Sequence, residues 1–597
     1  MNRTDKIIVA LLFALLMGWL WHSSRVAQAE AHQRQLEEAA AALTNNVATN
    51  ATSPVLSAKL PAATTNAASE DAAAPLSHIV PEQTVTLHSA DMDLLVSSRG
   101  ATVQSATLPA YRTTANKTSG PVILDFHPQP ALALSGIPGV APDADYTIIA
   151  ETNGRAVTLT YRTPRGLTLA RHIELRDHYQ VVVSDHFNNA SDETISLGFT
   201  NWVTLGTMYR GDTKNDEIAA DSFAVTPDAS VRHWSKQLPG LFGVSTFGCS
   251  GGSSRALPTH AEQCTAEPQQ WVALKSRFFV ETFASSATNV CFRLQAERDL
   301  SQQAFTVAQV SGAVAFPGGS LAPRATLDRT HTLYIGPKKL ANLANLGPRT
   351  HDIMEFGWFS WFARLLLRLL NIFYTFVPNY GVAIIALTVL VRLIFWPLTH
   401  KSTQGMQRMR EIQPLIKAAQ ENFKDDPQKM QHEVWRIYRE NKVNPLSSCL
   451  PMLLQIPVFF ALYIMLRSAV ELRYSTFLWV GDLSQPENLF ASVLPIPINI
   501  LPILMAATTI WQSKLTPSMG DPMQQKMMTW MMPLMMLFFF YSMPAGLSLY
   551  WAVSTLLAIL QLIWQKRSGA GASATPPSSA TADADDMTRQ MKRRLER

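Results

Sequence analysis

Long apolar runs in the C-terminal third of the 597-residue chain constrain its fold more than any other feature. A helix needs about 20 apolar residues to cross the ~30 Å hydrocarbon core of a bilayer. Five runs approach or exceed this length: Asn379–Leu398, Leu446–Val470, Val493–Trp511, Met528–Met543 and Leu547–Trp564. Prolines within these runs do not exclude helices, because neighbouring helices in a membrane bundle satisfy the freed carbonyls. The pattern predicts a five-helix membrane bundle in residues 379–565.

A shorter apolar run near the N-terminus, Ile7–Trp21, follows the basic residues Arg3 and Lys6. A basic flank before an apolar segment places the N-terminus in the cytoplasm and the next domain across the membrane. The alternative is a cleaved signal peptide, because Ala27-Gln28-Ala29 has the small-x-small form of a cleavage site. The first alternative makes residues 1–24 a sixth membrane-spanning helix, and both place the following domain outside the cytoplasm.

The composition changes twice between the N-terminal run and the predicted bundle. Residues 25–82 are mostly small and polar, and such a segment buries too little apolar surface to offset its conformational entropy. We therefore expect a flexible tether there. Residues 83–345 alternate short apolar runs with turn signals, such as Asn153-Gly154, which is typical of a type I′ hairpin, between Tyr146–Ala150 and Ala156–Tyr161. This spacing predicts an all-β sandwich domain, a fold that hosts many functions.

Residues 352–376 carry a broad apolar and aromatic face that is interrupted by Arg364 and Arg368. Aromatic residues and arginines on one helix favour a position in the membrane interface rather than across the bilayer. A helix packed on the β domain is the alternative.

Basic residues set the predicted topology of the membrane segments. The connection 399–445 and the tail 566–597 are rich in lysine and arginine, so both are expected in the cytoplasm. The connection is predicted to form a hairpin of two helices, Thr403–Asn422 and Pro427–Asn441, which either guides a substrate or presents a solvated charged face. The candidate contact residues of this hairpin are Arg408, Arg410, Arg436 and Arg439. The complete prediction is six transmembrane helices with both termini in the cytoplasm.

Polar residues inside the predicted bundle are the candidates for a functional site. A charge at mid-membrane costs at least ~2.5–3.5 kcal/mol, so Arg392 should face a polar cavity, or else extend to the interface near Trp396 and Lys401. Thr388 lies one helical turn away on the same face. The other runs contribute further polar side chains, Gln455, Gln512, Tyr550 and Ser554. These runs contain no Asp or Glu, so a polar recess around Arg392 that opens to the cytoplasm would attract an acidic or polar chain segment.

The sequence contains no convincing motif for catalysis, metal binding or cofactor binding. The segment Gly248–Gly252 fits the G-x-S-x-G pattern around Ser250, but it lies in a Ser/Gly-rich stretch of a β domain and is better explained as a loop. No P-loop, H-E-x-x-H or zinc-spaced Cys/His cluster occurs. The net charge of +5 is modest for this length, so no nucleic-acid substrate is expected. Whether Cys249 and Cys264 form a disulfide, and whether Cys291 takes part, stays open.

Several motifs in a fixed order resemble those of the YidC/Oxa/Alb membrane protein insertases. The bundle supplies Lys442–Leu446, Gln455–Phe459, Asp521–Lys526 and Pro544–Tyr550. In the β domain, Arg99-Gly100 followed by Leu108-Pro109-Ala110-Tyr111 is similar to the periplasmic domain of the Gram-negative YidC branch. The resemblance covers almost the whole chain.

The resemblance implies a membrane protein insertase and chaperone of the bacterial inner membrane, with a large periplasmic domain, an uncleaved N-terminal helix and no cofactor. It implies a hydrophilic groove that opens to the cytoplasm and to membrane lipid, lined by Arg392 and Thr388, with Tyr550 contacting nascent membrane proteins. The Sec translocon and the ribosome are its expected partners. Trp551 departs from the second aromatic hydroxyl that is frequent in this family. The competing hypotheses are a small-anion transporter, for which no inverted repeat is visible, and a hydrolase using Ser250.

Overall fold

The computed structural model describes residues 81–570 except 117, 210–217, 225–230, 236–253, 256–268, 287–290, 299–306, 425, 442, 445–449, 490–496 and 517–526. The predicted N-terminal helix, the tether and the tail beyond residue 570 lie outside the described residues. The same holds for the Ser250 motif and for Cys249, Cys264 and Cys449, so the catalytic and disulfide hypotheses at these positions stay untested.

Twenty β-strands occupy residues 84–337 of the described chain. They are β1 Thr84–His88, β2 Asp93–Ser97, β3 Thr102–Arg112, β4 Pro121–Asp125, β5 Leu134–Ser135, β6 Thr147–Ala150, β7 Ala156–Arg162, β8 Leu167–Leu175, β9 Gln180–Asn189, β10 Ile195–Ser196, β11 Thr200–Tyr209, β12 Ala219–Ala224, β13 Val231–Ser235, β14 Ser254–Arg255, β15 Gln269–Lys275, β16 Phe279–Ser285, β17 Cys291–Arg298, β18 Val307–Pro317, β19 Ser320–Leu321 and β20 Thr326–Pro337. The prediction of a β-rich domain before the helices is confirmed.

Two large sheets form the centre of this β domain. Ten strands lie in the order β14-β13-β12-β15-β16-β20-β9-β8-β7-β6, and a four-stranded sheet has the order β17-β18-β11-β5. The smaller sheet packs on the larger one through β11, β17 and β18 against β15 and β16. Strands β1–β4 form a separate meander, and β10 pairs with β19. Every pairing is antiparallel except β13 with β14.

Strand β8 shows why these residues pair as they do. Its side chains alternate strictly between buried and half-buried positions, which is the period of a strand with one face on the core. One buried position holds Arg171, whose guanidinium donates to both carboxylate oxygens of Asp185 on β9, at 2.6 and 2.8 Å. The predicted hairpin of β6 and β7 is confirmed, but its turn is not type I′, because Gly154 has a positive φ and Asn153 does not.

Strand β11 contains a bulge between Leu205 and Met208, where its register against β18 shifts. The backbone N–H of Gly206 in this bulge donates to the Glu281 carboxylate of β16 at 3.1 Å. A side chain at Gly206 would overlap the Phe126 ring, with its Cβ 2.2 Å from the nearest ring carbon. Glu281 is completely buried, so the bulge places a carboxyl group inside the sandwich.

Nine α-helices follow in the described residues. They are α1 Leu340–Leu343, α2 Ser360–Phe376, α3 Tyr380–Glu411, α4 Gln413–Asn422, α5 Pro427–Glu440, α6 Leu450–Ser468, α7 Ile500–Leu515, α8 Met532–Phe540 and α9 Ala545–Ala570. Short 3₁₀ segments cover Thr350–Met354, Gly357–Phe359 and Val470–Leu472, and a π-helical turn covers Met527–Met531.

Within this part of the chain, two helices are long and apolar enough to cross a membrane, Tyr380–Glu411 and Ala545–Gln565. Two shorter apolar helices are Gln455–Ser468 and Thr529–Phe540. Each of the five predicted C-terminal runs contains a helix, but the predicted count of six transmembrane helices is not confirmed.

The interfacial candidate, α2, packs mainly against α3 and α6. Its buried side chains are Ala363, Leu366, Leu367 and Leu370. On its other face Trp361 and Phe376 are largely exposed. The helix therefore packs on the bundle, whereas the alternative prediction placed it on the β domain.

The predicted helix Thr403–Asn422 is wrong in its boundaries. Helix α3 continues without a break from the bundle to Glu411, and α4 begins at Gln413 with Pro414 in its first turn. A proline disfavours helical backbone in the residue before it, so the chain breaks at this point rather than at the end of the apolar run. The second hairpin helix, α5, lies where it was predicted.

Candidate functional site

Helices α3 and α9 lie side by side in parallel and are joined by polar contacts at a nearly constant offset in sequence. Arg392 contacts Ser554, and Thr399 contacts Gln561 seven residues further along both helices. His400 Nδ1 then lies 2.8 Å from Gln565 Nε2. We call these six residues the polar seam. A row of hydrogen bonds between two apolar helices fixes their rotation and sliding as well as their separation.

Arg392 is the charged member of the seam. Its Nε donates to Ser554 Oγ at 2.9 Å, and the Tyr550 phenol is close enough to interact with it electrostatically. Among the residues that the structure describes, no carboxylate oxygen lies within 4.0 Å of this guanidinium. The side chain is half-buried. A half-buried cation that lacks a carboxylate partner retains donors for another polar group.

Thr388 and Tyr550 are buried between the helices, whereas the prediction placed them on the surface of a groove. Thr388 is fully buried, and its hydroxyl donates to the carbonyl of Ile384 in its own helix at 2.6 Å. Tyr550 is 3% exposed. Both residues lie within a turn of the Arg392–Ser554 contact, so the structure brings four of the predicted residues together.

The two predicted glutamines lie on other helices. Gln455 is half-buried on α6, and Gln512 is half-buried on α7. The hydrogen bonds of the described residues do not join either side chain to Arg392, so their place in the site stays a prediction.

Sequence reasoning missed Thr399, His400, Gln561 and Gln565 as members of the seam. A signal was present, because Tyr550, Ser554, Gln561 and Gln565 follow one another at steps of four, seven and four residues, which keeps them on one helical face. Thr388, Arg392, Thr399 and Thr403 on α3 show the same steps. Two helices with the same polar spacing indicate a shared contact surface.

The hairpin arginines lie apart from the seam. Arg408 and Arg410 are exposed at the end of α3, and Arg439 is exposed on α5. Arg436 is half-buried and forms an ion pair with Glu433 in the preceding turn. Helices α4 and α5 pack on a small core of their own, consisting of Met409, Ile412, Ala419 and Ile437. Both a substrate contact and a solvated face remain compatible with this arrangement.

One group of residues, two in the β domain and one just after it, has the side chains of a metal site. Ligand atoms of Asp221, His233 and Glu355 lie within 4.8 Å of one another. The ammonium of Lys275 contacts Asp221 and lies 2.9 Å from Glu355. Burial acts to lower the pKa of His233, but the Asp221 carboxylate outweighs it and raises that pKa to about 9. Two cations thus neutralise the two carboxylates, and this charge balance disfavours a metal ion.

Comparison with known proteins assigns the chain to a protein family. Residues 84–369 match the family model of the YidC periplasmic domain, and residues 372–571 match that of the 60Kd inner membrane protein. A membrane protein insertase YidC of Pelobacter propionicus is 32% identical over 498 residues, which cover 81% of this chain and 86% of that protein. The chain belongs to the YidC family of membrane protein insertases. The predicted resemblance is confirmed.

A second YidC relative, from Geobacter metallireducens, is 30% identical over 507 residues, covering 83% of this chain and 87% of that protein. A crystal structure of an active YidC insertase with its first transmembrane domain resolved covers 83% of this chain and 94% of that chain, at 18% identity and a TM-score of 0.32. This structural similarity is weak, and the family assignment rests on the sequence matches. The YidC assignment agrees with the β domain and C-terminal helices described above.

Proposed function

We propose that this chain inserts integral membrane proteins into the bacterial inner membrane and helps them fold and assemble. The YidC relatives carry the name of this activity, and both halves of the chain match family models of inner-membrane or periplasmic parts. The polar seam is the proposed contact site for a substrate, and nascent membrane proteins are the proposed substrates.

The main support for the proposed site is the environment of Arg392. Its guanidinium holds one neutral hydrogen-bond acceptor, Ser554, while the described residues provide no carboxylate to balance its charge. An acidic or polar segment of a substrate would supply that balance, and hydrogen bonds to charged groups contribute about 1.5–3 kcal/mol each. The apolar remainder of the substrate then gains about 25 cal/mol for each Å² that leaves water for lipid.

The remaining features of the proposal concern topology and partners. We propose that Gln455 and Gln512 extend the contact surface, that Thr388 and Tyr550 shape its deeper end, and that both termini lie in the cytoplasm opposite the β domain. The exposed residues Arg408, Arg410 and Arg439 and the paired Arg436 are candidate contacts for the ribosome or for emerging substrate. The chain would work alone or beside the Sec translocon, without catalytic chemistry or a cofactor.

Photocrosslinking from α9 to a stalled nascent chain tests the site. An azidophenylalanine that replaces Tyr550 is close to it in size, because an azide takes the place of the hydroxyl, and position 550 lies beside Arg392. The matched control replaces Leu560, which is 61% exposed on a different face of the same helix. We expect the nascent chain to crosslink at position 550 and much less at 560.

Equal crosslinking at both positions would refute the seam as the substrate site. Protection of position 550 by small inorganic anions, without any crosslink to a nascent chain, would instead favour the anion transporter hypothesis.

A further inference from the structure

The segment between α6 and α7 covers the first turns of the two seam helices. We call residues 469–489 the cap loop. Its Phe477 ring packs on Gly381 of α3 so closely that a Cβ there would lie 2.1 Å from the ring. Two backbone donors at the start of α9 bond to the same loop, Ala545 N to Gln485 O at 2.8 Å and Gly546 N to Leu483 O at 2.9 Å. The cap loop therefore closes the end of the helix pair that faces the β domain.

The β domain reaches the cap loop through the turn between β15 and β16. Arg277 in this turn donates from Nη2 to the carbonyl of Ser484 at 2.6 Å, and from Nε to the carbonyl of Arg467 at 2.9 Å. Its side chain is 7% exposed. One guanidinium thus joins the end of α6 to the cap loop.

The position of Ser484 explains why this contact matters for the helix pair. Ser484 lies between Leu483 and Gln485, the two residues whose carbonyls bind the start of α9. The Asp482 carboxylate fixes the turn by accepting from Ser484 N at 2.8 Å and from Ser484 Oγ at 2.7 Å. A displacement of Ser484 would therefore move both carbonyls that hold α9.

A second arginine makes the reverse contact, from the cap loop to the β domain. Arg473 donates from Nη1 to the carbonyl of Arg112 at 2.8 Å, and the Tyr474 hydroxyl donates to the carbonyl of Thr113 at 2.9 Å. The Arg473 guanidinium also lies 5.3 Å from the centre of the Phe279 ring, two residues after Arg277. The two parts of the chain are thus clamped in both directions.

The acceptors in this clamp are backbone carbonyls rather than carboxylates. Their positions are set by the loop conformation, and a planar guanidinium can serve two of them with separate N–H groups. A lysine at position 277 supplies a point charge without that fixed geometry and would reproduce the contact only in part.

We propose that Arg277 is a positioning residue that holds the cap loop closed, so that the polar seam is sealed on the β-domain side of the membrane. The periplasmic domain would then determine how tightly the insertion site is closed at that end. The biological purpose of the seal rests on the proposed insertion function. The closure itself does not, because it can be measured without any substrate.

Cysteine labelling of the full chain in liposomes tests this closure. The four native cysteines are replaced by serine, and Ser548→Cys places a thiol at a completely buried position just below the cap loop. A membrane-impermeant maleimide is added on the β-domain side. We expect Arg277→Ala to raise the labelling rate about tenfold or more, as for the loss of one hydrogen bond to a charged group. Arg277→Lys should give an intermediate rate, and Arg473→Ala should also raise it.

Two controls separate cap opening from general unfolding. Arg324→Ala removes an arginine of the same domain whose side chain is 69% exposed and pairs with Asp192 at the surface, and it should leave the rate unchanged. Ser222→Cys reports on a completely buried position in β12, on the side of the membrane where the maleimide is added, and it should stay protected in every variant.

If position 548 is labelled at the same rate with Arg277→Ala as with Arg277 intact, the proposal is overturned. Simultaneous labelling of positions 548 and 222 would also overturn it, because Arg277 would then support the fold in general. If the variants show the expected labelling but position 550 gives no crosslink, the proposal for the cap loop stands and the proposed substrate site is refuted.

Discussion

The buried carboxyl group of Glu281 leads to a prediction about pH. Burial raises the pKa of Glu281 to about 7 from an ordinary value of 4.5, and one hydrogen bond from Gly206 N–H only partly opposes this. The folded β domain therefore holds a proton that the unfolded chain releases between pH 4.5 and 7. The contribution of Glu281 to stability is fully present below pH 4.5 and is lost as the pH rises through about 7.

The size of this effect follows from the shift. A difference of roughly 2.5 pKa units at about 1.4 kcal/mol each gives a loss of about 3 kcal/mol in the free energy of unfolding between pH 4.5 and about pH 8. The variant Glu281→Gln keeps an oxygen for Gly206 but cannot ionise. We expect its stability relative to wild type to increase by about 3 kcal/mol over the same pH interval.

Denaturant unfolding of the full chain in detergent, followed by the β-sheet circular dichroism signal at several pH values, measures this difference. The quantity to compare is the change in the free energy of unfolding with pH. Its absolute value is less informative, because the buried amide introduced by Glu281→Gln leaves a donor unsatisfied and shifts the free energy by a constant amount at every pH. Glu193→Gln, a substitution at an exposed position, is the matched control and should parallel wild type. Parallel curves for Glu281→Gln and wild type across this pH interval would refute the argument.

Two further predictions concern the helices. Arg392→Glu should impair insertion of substrates with acidic translocated segments more than Arg392→Lys does, as measured by protease protection of the translocated segment; equal insertion by both variants would favour an arginine that only extends to the interface. Gly381→Ala should lower the thermal stability of the full chain in detergent, because the new Cβ would overlap the Phe477 ring, and Phe477→Leu should restore part of the loss. Unchanged stability of the single variant would show that the cap loop adjusts at no cost.

The sequence predicted those parts of the fold that depend on local periodicity. Strand β7, Ala156–Arg162, was predicted to within one residue at its end, because the alternation of apolar and polar residues is visible directly in the sequence. The break at Pro414 was missed, although a proline is a local signal, because the apolar run ends earlier and suggested a boundary there. The turn at Gly154 differs from the predicted type because hairpin turn geometry also depends on the pairing register of the flanking strands.

The site was predictable in its charge and less so in its geometry. Arg392 stood out because an arginine inside an apolar run is costly, and Ser554 was among its proposed neighbours. Thr399 and Gln561 were missed because each residue is ordinary by itself, and only their matched spacing on two distant helices indicates a contact. The clamp at Arg277 was not predictable, because its partners lie 190 and 207 positions away and accept through backbone carbonyls.

The separate core of the hairpin formed by α4 and α5 has a consequence for local stability. Helix α3 has 32 residues and extends about 48 Å, so it is longer than a ~30 Å hydrocarbon core and its final turns must project beyond it. Met409 and Ile437 pack there in a cluster that shares no member with the main core. The hairpin should therefore open as its own cooperative unit, at a lower free energy than the bundle, and its amide hydrogens should exchange while those of the seam helices are still protected.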